Sequence, residues 1–345
     1  MSTGYFDESL EECMNTTAPM ELSITSAGIS AFLLVVTVPT NLLICLAIIV
    51  DPNRELRTQF NCFTFNLGLA DLIVGCVAEP FMIFAHITEA VAPEHEVSSS
   101  VNIAVRIPYF ILTMASILSI AALACERYFA IISPFCYREH FNVKLTVIIS
   151  SVIWIVAITF GMLIWIMDYV FESFILINFG VLFTGVLVCF ASCRICARLK
   201  KTSKQWQKNE MHREKDNLTQ MKLTRTLGLM VGTFMLCYVS AGSMIYYINV
   251  CTNCNCGVIQ WFRDAAFWLI LLNSAIDPYV YAIRSSQFRA AIYKILKCSC
   301  QRRKSFRTFP ALRYSKQRKN RKRANYGALS STDSSQVSCH IEQLT

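Results

Sequence analysis

Long runs without an ionisable side chain alternate with short, strongly basic segments along this chain of 345 residues. No Asp, Glu, Lys or Arg occurs in 22–50, 107–125, 145–167, 173–193 or 226–262. Two further runs are interrupted by lone acids: 58–88 by Asp71 and Glu79, and 264–283 by Asp277, with Asp264 at its edge. A helix needs about 20 apolar residues to cross a hydrocarbon layer of about 30 Å. The runs therefore predict an all-α, integral membrane bundle of seven helices: α1 at about 25–50, α2 at 58–87, α3 at 99–132, α4 at 144–167, α5 at 171–199, α6 at 220–249 and α7 at 262–283. In lipid the backbone finds no outside partner, so each segment must bond within itself, and helices do this most simply. One such run would equally suit a buried core helix; seven in succession do not. No internal repeat is visible, so the inverted-repeat signature of many transporters is missing.

Composition agrees, with 54% hydrophobic and only 16% charged residues, against roughly 25% charged in a soluble domain. The net charge of +9 suggests a nucleic-acid partner only until its placement is read. Of 32 Lys and Arg, all but Arg106 and Arg263 fall in 54–57, 127–144, 194–225 and 284–345. Basic loops stay in the cytosol, so the N-terminus is expected outside, the tail inside, and the protein in the plasma membrane. The first 25 residues carry no Lys or Arg but hold Asp7, Glu8, Glu11, Glu12 and Glu21. Without a basic n-region no cleavable signal peptide is expected, and α1 serves as an uncleaved anchor. The sequon at Asn15 then faces the glycosylating side, whereas the one at Asn217 is a chance match. The chain divides into an extracellular arm (1–24), a membrane domain (25–283), a short amphipathic inner-leaflet helix (284–298) and a disordered cytosolic tail (299–345).

That short helix, around Gln287–Lys297, is basic on one face and apolar on the other, and suits the inner leaflet. Cys298 and Cys300 follow it, where palmitoylation would add a second anchor; unmodified thiols are the plain alternative. Residues 301–323 are basic and expected to associate with anionic membrane lipids. Ser330, Ser331, Thr332, Ser334, Ser335 and Ser338 are open to kinases, and clustered phosphates there would suit an arrestin-type partner.

Polar groups inside a membrane are costly, and each is a functional candidate. Asp71 falls mid-α2, Asn41 mid-α1, Ser116 in α3, and Asn273, Ser274 and Asp277 in α7. Asn273 and Asp277, four apart, share a face. Interhelical hydrogen bonding alone would explain Asn41 and Ser274 about as well as function. Two carboxylates at similar depth repel when unpaired, and a small cation between them removes the conflict. Glu126-Arg127-Tyr128 ends α3, where an acid beside a base is often only a surface pair.

Asn41, Leu69-Ala70-Asp71, Glu126-Arg127-Tyr128, Trp154, and Asp277-Pro278-x-x-Tyr281 followed by Phe288 form an ordered set. Together they resemble the rhodopsin-like (class A) G-protein-coupled receptors. The resemblance implies two packings of the bundle, biased by an extracellular ligand, with α6 swinging out to admit a heterotrimeric G protein. It makes Glu126, Arg127, Tyr128, Tyr238, Asp277, Pro278 and Tyr281 the activation switch. Asp71, Ser116, Asn273 and Asp277 match the family's allosteric sodium pocket; no other cofactor is implied.

Departures narrow the branch. Tyr109 stands where amine receptors carry an aspartate, and α7 lacks the Schiff-base lysine of opsins. Asn102 replaces the usual cysteine of α3, no cysteine occurs between 137 and 188, and the second outer loop shrinks to Asp168–Glu172. The α6 motif reads Phe234-x-x-Cys237-Tyr238-x-Ser240, without the usual Trp and Pro. These features resemble the melanocortin, adenosine and cannabinoid receptors, melanocortin receptors most closely. Cys13, Cys251, Cys254 and Cys256 allow three pairings in an oxidising compartment, and the melanocortin pattern favours Cys13–Cys256 and Cys251–Cys254. A zinc site there lacks an accompanying histidine. The acids that hold calcium and a peptide arginine in melanocortin receptors are Phe81, Asn102 and Arg106 here, so a melanocortin peptide is not supported.

Glu79, Arg106, Asp168, Glu172, Arg263 and Asp264 are expected to ring the outer mouth, with Tyr109, Tyr238 and Tyr246 below. Arg106 suits a ligand carboxylate or phosphate, although pairing with Glu79 or another local acid explains it too. No hydrolase or transferase constellation is present, and the chain is not read as an enzyme. The competing reading is a seven-helix ion channel or pump, motivated by Asp71, Glu79 and Asp277.

Overall fold

The computed structural model describes residues 13, 16–92, 99–162, 173–206, 214–251 and 255–307. Within these, only the backbone is described for 99–106, 177, 200–206, 214–227, 281–284 and 298–307. All regular structure among the described residues is helical. The spans are α1 Met20–Val50, α2 Gln59–Val91, α3 Ser99–Ile132, α4 Val143–Gly161, α5 Ser173–Leu199 running on to Trp206, α6 Glu214–Val250 and α7 Cys256–Arg284. Helix α8, Ser286–Arg307, follows after a one-residue break. Met1–Leu296 forms one compact unit, and Lys297–Thr345 a second.

Local chemistry sets several of the ends. Thr58 caps α2 by accepting from the Asn61 N–H at 3.2 Å, and Asn142 caps α4 by accepting from Leu145 N–H at 2.9 Å; such caps satisfy otherwise orphaned amides. Asp51 ends α1 in the left-handed region at φ 37°. Its Oδ1 then accepts from the Glu55 and Leu56 N–H groups, which ties the short link to α2. Several ends lie beyond the expected ones: α1 starts at Met20 rather than near 25, α5 runs on to Trp206 rather than 199, and α6 starts at Glu214 rather than near 220. α7 starts at Cys256 rather than near 262, and α8 continues to Arg307 rather than stopping near 298.

Apolar side chains cover the outside as well as the core. Phe32, Val35, Ile155, Val186 and Leu236 are each more than 60% exposed, while Asn41, Asp71, Glu79, Asn273 and Asp277 are buried to 1% or less. An apolar exterior, with the polar groups sequestered inside an otherwise apolar core, is what a hydrocarbon solvent selects. Among the described residues, six helices are long and apolar enough to cross a membrane. α7 packs against α6, α1 and α2 and closes the ring. α3 runs through the middle, touching α2, α4, α5 and α6.

Close approach and polar ties hold the ring together. At Gly161 a Cβ would stand 2.3 Å from Ile111 Cγ1, so only glycine lets α4 come so near α3; small residues play this part in membrane bundles. Asn66 donates to Ser119 Oγ at 2.7 Å and accepts from Trp154 Nε1 at 2.9 Å, joining α2, α3 and α4. In membrane proteins such bonds contribute about 0.6–2 kcal/mol each. A π-turn at Val74–Ala78 breaks the regular helix of α2, and Pro80 follows one residue beyond it. The inserted residue rotates everything past Ala78 relative to Asp71.

Candidate functional site

Three groups of side chains stack along the bundle. The Cys13 end is built first by covalent chemistry. Cys13 and Cys256 are disulfide-bonded with Cα atoms 4.8 Å apart, which fastens the N-terminal arm to the start of α7. Gln260 Nε2 donates to the Thr16 carbonyl at 3.0 Å, and Glu89 of α2 accepts from Ala18 N–H and Ser23 Oγ, both at 2.9 Å. Asp264 accepts from Ser26 Oγ at 2.7 Å and from Arg263 Nε at 2.9 Å. Cys251 is also disulfide-bonded. Asn15, Cys254, Asp168 and Glu172 lie outside the described residues, as do the side chains of Asn102, Arg106, Cys298 and Cys300.

Below this seal, Tyr109 and Phe110 of α3, Ser173 and Leu176 of α5, Asn249 of α6, and Arg263 and Phe267 of α7 line a narrow cleft of about 20 Å³, partly open to solvent. The Tyr109 and Phe267 ring centroids lie 4.8 Å apart, and Phe110 meets Tyr109 edge-on at 5.3 Å. Of the residues expected at the mouth, Tyr109 and Arg263 line this cleft. Glu79 does not. Its carboxylate is buried and turned toward α1, where Oε1 accepts from Thr37 Oγ1 at 3.2 Å. Tyr246 turns to α5, where its hydroxyl bonds Asn178 and its ring meets Phe174. Tyr238 packs on Phe234 at 4.7 Å and is 2% exposed, deeper than the cleft. A tyrosine or acid near the right depth says little about rotation around its helix, which explains these three corrections.

The central group is polar and buried. Asp71 Oδ1 accepts from Ser274 Oγ at 2.7 Å and Ser116 Oγ at 3.3 Å; Asp277 Oδ2 accepts from Asn273 Nδ2 at 3.2 Å. Asn41 Nδ2 donates to the Ser274 carbonyl at 3.0 Å, so α1 also holds the turn that presents Ser274. Asp71 Oδ2, Asp277 Oδ1 and Asn273 Oδ1 are buried without a hydrogen-bond partner. Unmet acceptors beside carboxylates that sense each other's charge are a donor set suited to a small hard cation. Ser274, read from the sequence as possible glue, makes the shortest hydrogen bond to Asp71.

At the other end, the Arg127 guanidinium forks onto both oxygens of its neighbour Glu126. Such bidentate pairs are strong and directional. The Tyr137 hydroxyl donates to Glu126 Oε1, and the Arg127 guanidinium lies 4.6 Å over the Phe60 ring. Tyr137 belongs to a two-turn helix, Pro134–His140, beyond the end of α3. Burial, then the Glu126 charge, pushes its phenol well above the ordinary tyrosine range. Sequence reading missed Tyr137 and Phe60; nothing in their local pattern marks them, because both contacts depend on how α2 and the loop fold over α3. Tyr128 faces α5 instead, against Phe190 at 6.2 Å. The Tyr281 side chain is outside the described set.

Comparison with known proteins decides the family. A profile described as 7 transmembrane receptor (rhodopsin family) matches residues 40–173 and 166–281. The chain belongs to that family. It is similar to the histamine H2 receptors of Cavia porcellus (26% identity over 83% of this chain and 82% of that protein), Rattus norvegicus (24%, 84% of each) and Homo sapiens (25%, 86% and 85%). The receptor is thus a multi-pass membrane protein and not an enzyme, and the channel or pump reading is not favoured.

Proposed function

We propose that this receptor binds an extracellular ligand at the Cys13 end and activates a heterotrimeric G protein at the Arg127 end. The observation that carries the reading is the Glu126–Arg127–Tyr137 latch, in a bundle whose opposite end holds a lined cleft. Arg127, drawn back onto Glu126 and Phe60, represents the coupling-silent packing; release of that fork would free a guanidinium for the G protein. Asp71, Ser116, Asn273, Ser274 and Asp277 would hold a sodium ion that favours the silent packing, because the ion offsets carboxylate repulsion and joins α2 to α7.

The histamine receptors are amine receptors by name, but Tyr109 occupies the place of the amine counter-ion, and its ring is turned to Phe267. We therefore keep the melanocortin, adenosine and cannabinoid group as the proposed branch. Glycosylation at Asn15, palmitoylation at Cys298 and Cys300, a Cys251–Cys254 bridge, and kinase and arrestin recognition of the tail belong to the same proposal. The test is cyclic AMP and calcium in transfected cells, wild type against Arg127→Ala at matched surface density. A response to any of a panel of peptides, nucleosides and lipids that Arg127→Ala removes supports the reading; membrane current without second messenger overturns it.

A further inference from the structure

The seal at the Cys13 end contains an imidazole that the ligand cleft does not use. His86 lies in the last turns of α2 and is 5% exposed. Neither of its ring nitrogens has a hydrogen-bond partner. Nδ1 stands 3.5 Å from Oε2 of Glu89, one turn further along the helix, longer than a well-formed bond of about 2.7–3.2 Å. The same Oε2 accepts from Ser23 Oγ, and Oε1 accepts from the Ala18 N–H. The carboxylate beside the ring is therefore the group that ties α2 to the N-terminal arm and the start of α1. A neutral imidazole offers one N–H and one lone pair, and leaving both unmet in a buried place is unfavourable.

The charges around the ring point the same way. From α7, Arg263 holds Asp264 through Nε at 2.9 Å and lies within electrostatic reach of Glu89. Two carboxylates against one guanidinium leave one negative charge without a balance, and a sequestered unbalanced charge is costly. α1, which packs on this part of α2, adds the hydroxyls of Ser23 and Ser26 and, on its exposed first turn, Glu21. Glu79, seven residues before His86 on α2, is turned to Thr37. A proton on His86 supplies the missing positive charge and makes Nδ1 a donor facing Glu89. It also lowers the number of unmet ring atoms from two to one. A proton, unlike a larger ligand, needs no cavity.

We infer that His86 is a binding site for a proton taken from the medium at the Cys13 end, and that the charged ring, closing on Glu89, tightens the grip of α2 on the N-terminal arm. The sign follows from linkage. A histidine that gains its partner on protonation contributes fully at low pH and loses that contribution as pH rises through the ordinary histidine range. The Ala18 amide, which donates to Glu89 Oε1, reports the grip directly. Its hydrogen exchange is followed in the full-length receptor in lipid nanodiscs, with both faces open to buffer, and corrected for the intrinsic pH dependence of exchange. Protection is expected to rise about five-fold from pH 8 to pH 5.5, the effect of one net hydrogen bond. His86→Gln cannot take up the proton, and Glu89→Gln keeps an oxygen for Ala18 without the charge. Both variants should show flat protection over that range. A second readout does not depend on how well either variant folds. In the 15N-histidine spectrum of the parent, which has five histidines, the signal absent from His86→Gln should itself titrate between the two pH values. Unchanged protection in the parent, protection that falls with acid, an equal rise in His86→Gln, or a His86 ring still neutral at pH 5.5 overturns the inference. Neither readout uses a G protein, so loss of coupling bears on the proposed function alone.

Discussion

Tyr137 tests whether the Glu126–Arg127 pair is a latch. Its hydroxyl is the third group on a carboxylate that is fully buried. Tyr137→Phe removes one hydrogen bond and nothing else, a loss of about 1 kcal/mol. If the silent packing alone contains this bond, ligand-independent second messenger should rise several-fold; an unchanged basal level at equal surface density would count against the latch. Proton linkage gives a second check. A phenol held above its ordinary range in the folded protein stabilises the fold fully below about pH 10, and loses that contribution as pH climbs toward the folded value. Basal signalling should therefore be flat from pH 6 to 9, and a Tyr137-dependent inflection there would contradict the assignment. Asp71 and Ser274 form the other residue-scale test. Asp71→Asn should abolish any sodium dependence of agonist affinity, and Ser274→Ala should weaken it, since Ser274 orients the carboxylate at 2.7 Å. Sodium sensitivity intact in Asp71→Asn would remove the cation reading.

At the scale of the helix, Glu79 shows both what the sequence makes legible and what it hides. The number, order and approximate bounds of the spans follow from charge-free runs, because a hydrocarbon solvent forces every segment to be apolar and self-bonded. The depth of Asp71, Asn273 and Asp277 follows as well. Rotation around the axis does not, once a π-turn intervenes between Asp71 and Glu79. That turn directs Glu79 at Thr37 of α1 rather than into the cleft. The cleft itself was half legible: Tyr109 and Arg263 are polar and stand out in apolar runs, whereas Phe267 and Leu176 look like any lipid-facing residue. Asn249 lies a turn from the chain link to α7 and carries no motif. One consequence is measurable. Glu79→Gln keeps the Thr37 contact while removing a buried carboxylate that has one unpartnered oxygen. An unpaired carboxylate is costlier to bury than a neutral amide of the same shape. The purified variant should melt no lower than the parent, and agonist potency should be unchanged; a potency loss of ten-fold or more would place Glu79 in the ligand site after all.

For the whole molecule, the asymmetry of basic residues and the latch lead to one experiment on sidedness and one on resting activity. Thirty Lys and Arg on the Arg127 side, against Arg106 and Arg263 on the other, predict that Asn15 is glycosylated and Asn217 is not. A glycosidase-sensitive shift that survives Asn15→Gln but disappears with Asn217→Gln would invert the bundle. Resting activity depends on how many contacts hold α6 against α3. Family members commonly pair the α3 arginine with an acid near the start of α6; counting back from Phe234, that place holds Gln220. The arginine's fork here goes to its neighbour Glu126 on the same helix, which does nothing to restrain α6. A partly buried ion pair exchanged for a neutral contact gives up about 1–2 kcal/mol. Starting from a resting ratio near 1:99, that change raises the active fraction to about 5–20%. Expressing cells should therefore show second messenger above empty-vector cells without ligand. Gln220→Glu should lower it toward the vector level, and Arg127→Ala should remove coupling while the receptor remains at the surface. Equal basal signal in receptor and vector cells, at verified surface density, would mean that contacts other than a helix 3 to helix 6 ion pair keep this bundle shut.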